Sequence, residues 1–143
     1  MEEVSLLMVQ EHKRVKEVLD EFEKELDENF EKCREIFSKF KWGLEKHFFI
    51  EEKVIFVISQ KIRNEEVSDI FNLMQEHGEI IEVIKGIEDK LSENIKPNLD
   101  ELKDLLIKHC MSEEEVFYDK LDQTLSPELK KEISEKINEV IRG

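Results

Sequence analysis

Two stretches of the chain, His47-Phe-Phe-Ile-Glu51-Glu52-Lys53-Val54 and His109-Cys110-Met-Ser-Glu113-Glu114-Glu115-Val116, share the pattern His-x-x-x-Glu-Glu-x-Val. Positions four apart lie one above the other on a helix, so each stretch aims an imidazole and a carboxylate at the same region. That pair of donor types suits a divalent metal. The other two histidines also come as a matched pair: Glu11-His12-Lys-Arg-Val15 aligns with Glu76-His77-Gly-Glu-Ile80. Each half of the chain thus offers one Glu-His helix and one His-x-x-x-Glu helix. Halves packed about a pseudo-twofold axis would bring His12, His47, His77, His109, Glu51 and Glu113 together in a bundle interior, where such folds build metal sites.

The bland alternative is a polar core. A lone histidine on an apolar stripe is more often a hydrogen-bonded interior residue than a ligand. With about a third of helical positions facing inward, however, all four histidines land there by accident roughly once in eighty. Two of them carry an inward Glu at i+4, and a buried carboxylate without a compensating charge is costly. A metal cluster removes that cost. The Glu-x-x-His pattern of ferritin-like di-iron bundles is absent, since Val9, Leu44, Met74 and Leu106 stand three residues before the histidines, and no His-Glu-x-x-His motif occurs.

The elements that must position these residues are helices. Met8, His12, Val15, Leu19, Phe22 and Leu26 recur at helical spacing and predict a first helix from Glu3 to about Leu26. Asp27-Glu28-Asn29 breaks it, with Asn29 as a cap. A second stripe, from Phe30 through Cys33, Phe37, Phe40, Leu44, His47, Glu51, Ile55 and Ile58 to Ile62, predicts a helix ending near Arg63-Asn64. The third runs from about Glu65 to Leu91, with Val67, Ile70, Met74, His77, Ile81, Ile84 and Leu91 inward. After a linker from Ser92 to Pro97, Asn98-Leu-Asp-Glu101 reads as a capping box opening a fourth helix, with Leu102, Leu106, His109, Glu113, Val116 or Phe117, and Leu121 inward. Ser126-Pro127-Glu128 starts a short final helix through Ile141. The expected fold is all-α: one domain over residues 1–143, an antiparallel up-down-up-down four-helix bundle with a short extra C-terminal helix. Trp42 and Phe40 are expected to be buried aromatics, and Tyr118, two and a half turns beyond His109, core or rim.

Composition narrows the function classes. The 143 residues are 41% charged with a net charge of −14, which argues against nucleic acid, whose phosphates call for a basic surface. The longest apolar run, Val54 to Ile58, is too short for a membrane span, and Met1-Glu2-Glu3 lacks the basic start of a secretory signal. A cytoplasmic protein is expected. Cys33 and Cys110 lack CxxC spacing and are expected to be buried thiols.

In the order of its motifs the chain resembles the hemerythrin-like, or HHE cation-binding, domains. These carry a His on the first helix, His-x-x-x-Glu on the second, His on the third, and a His with a carboxylate four or five residues later on the fourth. The resemblance covers essentially the whole chain, including the Ser-Pro-Glu start of the final helix. It implies two iron ions joined by an oxo or hydroxo group, with His12 and His47 holding one iron, His77 and His109 the other, and Glu51 and Glu113 bridging them. Some members use the carboxylate five residues on, here Glu114; the internal repeat favours Glu113. Glu52 and Glu114 are expected as surface groups or outer supports. The chain departs from oxygen-carrying members in having Leu73 where they have a further histidine, leaving a position open or filled by water or Glu76. The resemblance implies binding or sensing of a diatomic ligand, O2 or NO, in a dry pocket formed by residues such as Met8, Leu44, Met74, Ile81 and Leu106. Its alternatives are a di-iron enzyme acting on NO, O2 or peroxide with an electron-donor protein, iron storage or delivery, iron-sulfur repair, and a metal-free structural bundle.

Overall fold

A computed structural model describes residues 4–62 and 67–142, and among these every regular element is a helix. Helix α1 spans Val4–Glu25. Helix α2 is a composite of Phe30–Ile50, a π-helical turn at Glu51–Ile55 and Phe56–Ile62. Helix α3 spans Val67–Ser92. Helix α4 repeats the composite build, with Asp100–Ser112, a π-helical turn at Glu113–Phe117 and Tyr118–Thr124. Helix α5 is Pro127–Arg142. The expected start at Glu3, the boundary at Arg63-Asn64, the Glu65 start and the inward placing of Ile62 and Val67 lie outside what the structure describes.

Local chemistry sets several helix ends. Asn29 caps α2 as expected, its side chain accepting from Lys32 N at 3.1 Å. Ser126 Oγ likewise accepts from Leu129 N at 3.2 Å at the head of α5. The capping box expected at Asn98 does not form: Asn98 Oδ1 bonds Asp100 N at 2.8 Å, a two-residue turn, and Leu99 occupies the cap position without a side-chain bond. The start of α1 is held from afar by the Asp122 carboxylate, which accepts from Val4 N and Ser5 N at 3.1 Å each. The loop after α3 turns at Asn94, whose φ of 61° is a left-handed conformation that asparagine tolerates.

The core has two apolar clusters. One gathers Val15, Leu19, Phe22, Phe37, Phe40, Leu44, Ile80, Ile84, Leu102 and Leu106, among others. The second gathers Met8, Ile50, Ile55, Phe56, Ile70, Leu73, Phe117, Tyr118, Ile133 and Ile137 with their neighbours. Along each of α1 to α4 the histidine falls between a residue of one cluster and a residue of the other, so the polar groups form a layer between two dry halves. Each fully buried Leu, Ile or Phe contributes about 1.5–3 kcal/mol, so that layer is framed by the most strongly held part of the fold. Helix α5 packs on α1, α2 and the α2 π turn, burying Ile133 and Ile137.

The expected burial of Met74, Ile81 and Trp42 is corrected. Met74 and Ile81 are exposed, and Leu73 and Ile80 are buried instead. Positions three and four from His77 both satisfy helical spacing, and the neighbouring helices select 73 and 80. On α4 it is Phe117 that is buried, while Val116 faces out. Phe40 is interior, but Trp42 is 65% exposed, the reverse of the expectation for that residue.

Candidate metal centre

The two π turns do the positioning. A π turn admits one extra residue, so groups five apart rather than four come onto one face. In α4 this places Tyr118 beneath Glu113, and in α2 it places Phe56 beneath Glu51. All four histidines and both of these glutamates are buried, with Glu51 and Glu113 at 0% exposure.

Their donor atoms converge in two groups, His12, His47, Glu51 and Glu113, and Glu51, His77, His109 and Glu113; within each, one atom per residue lies within 4.8 Å of every other. The groups share both carboxylates. Glu51 Oε1 sits 3.1 Å from His47 Nε2 and 3.0 Å from His77 Nε2, one imidazole from each group. Glu113 Oε1 likewise sits 3.1 Å from His12 Nε2 and 3.0 Å from His109 Nε2. Neither Leu73 nor Glu76 belongs to this layer of donors. Leu73 joins the apolar cluster, and Glu76 Oε1 accepts from His109 Nδ1 at 2.7 Å.

Three of the four imidazoles are oriented from behind in the same way. His12 Nδ1 meets Glu114 Oε2 at 2.8 Å, His77 Nδ1 meets Glu52 Oε2 at 2.9 Å, and His109 Nδ1 meets Glu76. A carboxylate on Nδ1 takes that nitrogen's proton as a hydrogen bond and leaves the Nε2 lone pair for the centre. Glu52 and Glu114 are thus outer supports, as expected, and Glu113 is the carboxylate of α4 that faces inward. His47 Nδ1 is buried without a hydrogen-bond partner among the described residues.

Tyr118 was not legible as a site residue. Its hydroxyl donates to Glu51 Oε2 and to Glu113 Oε2, the latter at 3.2 Å, joining the two shared carboxylates through their second oxygens. Regular α-helical counting turns position 118 away from Glu113; only the π turn brings it round. The usable signal was the repeat, in which Glu113 to Tyr118 matches Glu51 to Phe56.

Electrostatics follow from this enclosure. Burial works to raise the Glu51 pKa, but His47, His109 and His77 outweigh it and hold the carboxyl well below its usual range. Burial opposes charge on His109, yet Glu51 and Glu76 prevail and raise it to about 9. Burial lowers His47, against Glu51 and with the help of the neighbouring imidazoles His12 and His109. Burial, then the Glu51 charge, push Tyr118 well above the ordinary phenol value, so it stays a donor.

The donor set fits a pair of cations. His12 Nε2 and His47 Nε2 are 3.0 Å apart, and His109 Nε2, though 3.0 Å from Glu113 Oε1, is off the line of a hydrogen bond and otherwise orphaned in the interior. Imidazole nitrogens and carboxylates crowded together in a buried layer are costly to desolvate; a cation among them would turn the same geometry into coordination.

A cavity of about 10 Å³, room for one molecule of water's size, adjoins the first group; His12, His47, Leu44, Phe48, Leu106 and Cys110 are among the residues around it. No helix among the described residues is long and apolar enough to cross a membrane. Compared with known proteins, the chain matches the family model of the hemerythrin HHE cation-binding domain over residues 5–137. No curated protein and no solved structure gives a match.

Proposed function

Because the chain belongs to the hemerythrin HHE cation-binding family, we propose that it is a non-haem di-iron protein that binds or senses a diatomic ligand, O2 or NO, within a single antiparallel bundle. The observation that carries this reading is the pair of buried donor groups sharing Glu51 and Glu113. In this reading His12 and His47 would hold one iron, His77 and His109 would hold the other, and Glu51 and Glu113 would be shared between them. A reduced iron pair, with its oxygen bridge, would supply electrons to a diatomic ligand at this place.

The protein's own residues do the rest. Glu114, Glu52 and Glu76 fix the ring orientation of three imidazoles through Nδ1. Tyr118 fixes the two carboxylates and keeps its proton, because burial and Glu51 hold its pKa high. Leu44, Phe48 and Leu106 give the cavity beside His12 and His47, which has room for one molecule of water's size, a largely apolar wall. Of the dry-pocket residues expected from sequence, Met8, Leu44 and Leu106 are buried; Met74 and Ile81 face outward and take no part.

The test is metal analysis joined to spectroscopy. The purified protein is expected to carry about two irons per chain, and its reduced form to give a reversible charge-transfer band under O2 or a stable nitrosyl signal under NO. Zinc alone, or no metal after anaerobic iron loading, overturns the reading.

A further inference from the structure

Cys110 is a buried thiol that the central donor layer does not use. It follows His109 on α4 and faces His12 of α1, where the matching position of the other half, Phe48, stacks flat on His77 with ring centroids 3.8 Å apart. The repeat is therefore broken at this place: His77 has an aromatic ring against it, and His12 has a sulfur. A ring nitrogen of His12, the Cys110 sulfur and a carboxylate oxygen of Glu114 lie within 4.8 Å of one another, and His12 Nδ1 is already 2.8 Å from Glu114 Oε2. His12 and Cys110 are buried, whereas Glu114 is 27% exposed, so the triad runs from the interior to solvent.

From this geometry we infer a third cation site, formed by His12, Cys110 and Glu114, that takes one thiophilic divalent ion of the zinc class and competes with the central pair for His12. Imidazole, thiolate and carboxylate are the three donor types that zinc and cobalt(II) accept together, with water completing a tetrahedron. At zinc-ligand lengths the donors stand about 3.3–3.8 Å apart, so side-chain adjustments below an ångström close the site. As the metal bonds form, the Cys110 thiol proton leaves to solvent past the partly exposed Glu114, and the His12 proton that Nδ1 shares with Glu114 shifts to Nε2. Hard, oxygen-preferring ions gain nothing from the sulfur and are not expected here. Because His12 also belongs to a central group, filling the side site withholds one imidazole from the His12–His47 iron. The prediction does not require iron at the centre, only the three side chains.

Cobalt(II) titration of the metal-free, thiol-reduced full-length protein tests it. A thiolate-to-cobalt charge-transfer band in the near ultraviolet is expected in the wild type and in Cys33→Ala, and is expected to vanish in Cys110→Ala. Glu114→Gln should weaken the ion responsible for the band at least roughly tenfold, the low end of what even outer supports contribute. Glu51→Ala, which removes a shared central carboxylate, should keep the band. One equivalent of zinc, added before iron, should lower iron loading more in the wild type than in Cys110→Ala, with circular dichroism confirming that each variant is folded. No thiolate band in the wild type, or one that survives Cys110→Ala, overturns the side site even if two irons load normally. A band with no iron uptake would instead overturn the di-iron reading and leave the side site standing.

Discussion

Tyr118 carries the sharpest expectation at the level of single residues. Its hydroxyl touches the second oxygens of both Glu51 and Glu113, and both carboxylates are fully buried. Tyr118→Phe keeps the ring packing and removes only the donor, leaving two acceptors short of a partner. We expect the metal-free variant to lose about 1–3 kcal/mol in chemical denaturation and metal affinity to fall roughly 10- to 100-fold in chelator competition. An unchanged affinity would mean that the phenol does not help to place the carboxylates. His109 makes a pH prediction. Its pKa rises from 6.5 unfolded to about 9 folded, so its contribution to the metal-free fold is complete below 6.5 and is lost as pH rises through 9. Glu51 runs the opposite way: depressed below 4.5, it stabilises above that value and loses its contribution as pH falls. A cation must expel the His109 proton, so metal binding should strengthen between pH 6.5 and 9, with close to one proton released per chain near neutrality from this residue. Calorimetry in two buffers of different ionisation heat measures that release, and zero protons would contradict the assignment of His109.

The π turns are the devices that matter among the elements. Each inserts one residue into an otherwise continuous helix directly after an inward glutamate, turning the following segment by about 100° relative to an α-helix. Inserting one alanine after Glu115, an exposed residue within the second turn, should put Tyr118 six residues beyond Glu113 and carry it off the centre. The expected result is retained helical circular dichroism with lost metal, whereas Glu115→Ala should keep both; equal metal content in the two variants would refute the positional role. These turns also mark where sequence reading stopped. The inward histidines and glutamates were legible because two periodic patterns and an internal repeat agreed. The contact of Tyr118 with both carboxylates was not, and Phe117 stood level with Val116, because a π turn leaves no composition signal and shifts every later position. Leu73 and Ile80 were misplaced for a different reason. Period alone admitted Met74 and Ile81, although the repeat already held the answer: the first-helix stripe Met8, His12, Val15, Leu19, Phe22, Leu26, moved on by a constant offset, gives Leu73, His77, Ile80, Ile84, Ile87, Leu91, all buried. Trp42 fell outside the repeat's guidance, and large aromatic size was a poor proxy for burial.

For the whole molecule, the layered core sets a trade between stability and metal binding. Six ionisable side chains occupy the plane between two apolar clusters, and their desolvation is costly. The ion pairs between the imidazoles and Glu51 or Glu113 recover part of that cost without metal. Replacing the six together by well-packed apolar residues should therefore raise the stability of the metal-free bundle, by about 1–4 kcal/mol on the scale found for buried ionic clusters, while abolishing metal uptake. Loading the wild-type protein with iron(II) under anaerobic conditions should close this gap. At a free metal concentration 100 times the dissociation constant, binding to the folded state alone adds about 2.7 kcal/mol, a rise in Tm on the order of 10 °C for a domain of this size. Differential scanning calorimetry of the two proteins, each with and without iron(II), gives four curves. The expected order is metal-free wild type lowest, with iron moving the wild type and leaving the apolar variant where it was. A wild type already at the apolar variant's stability without metal, and indifferent to iron, would show that the polar layer is satisfied by its own ion pairs and is not held open for a cation.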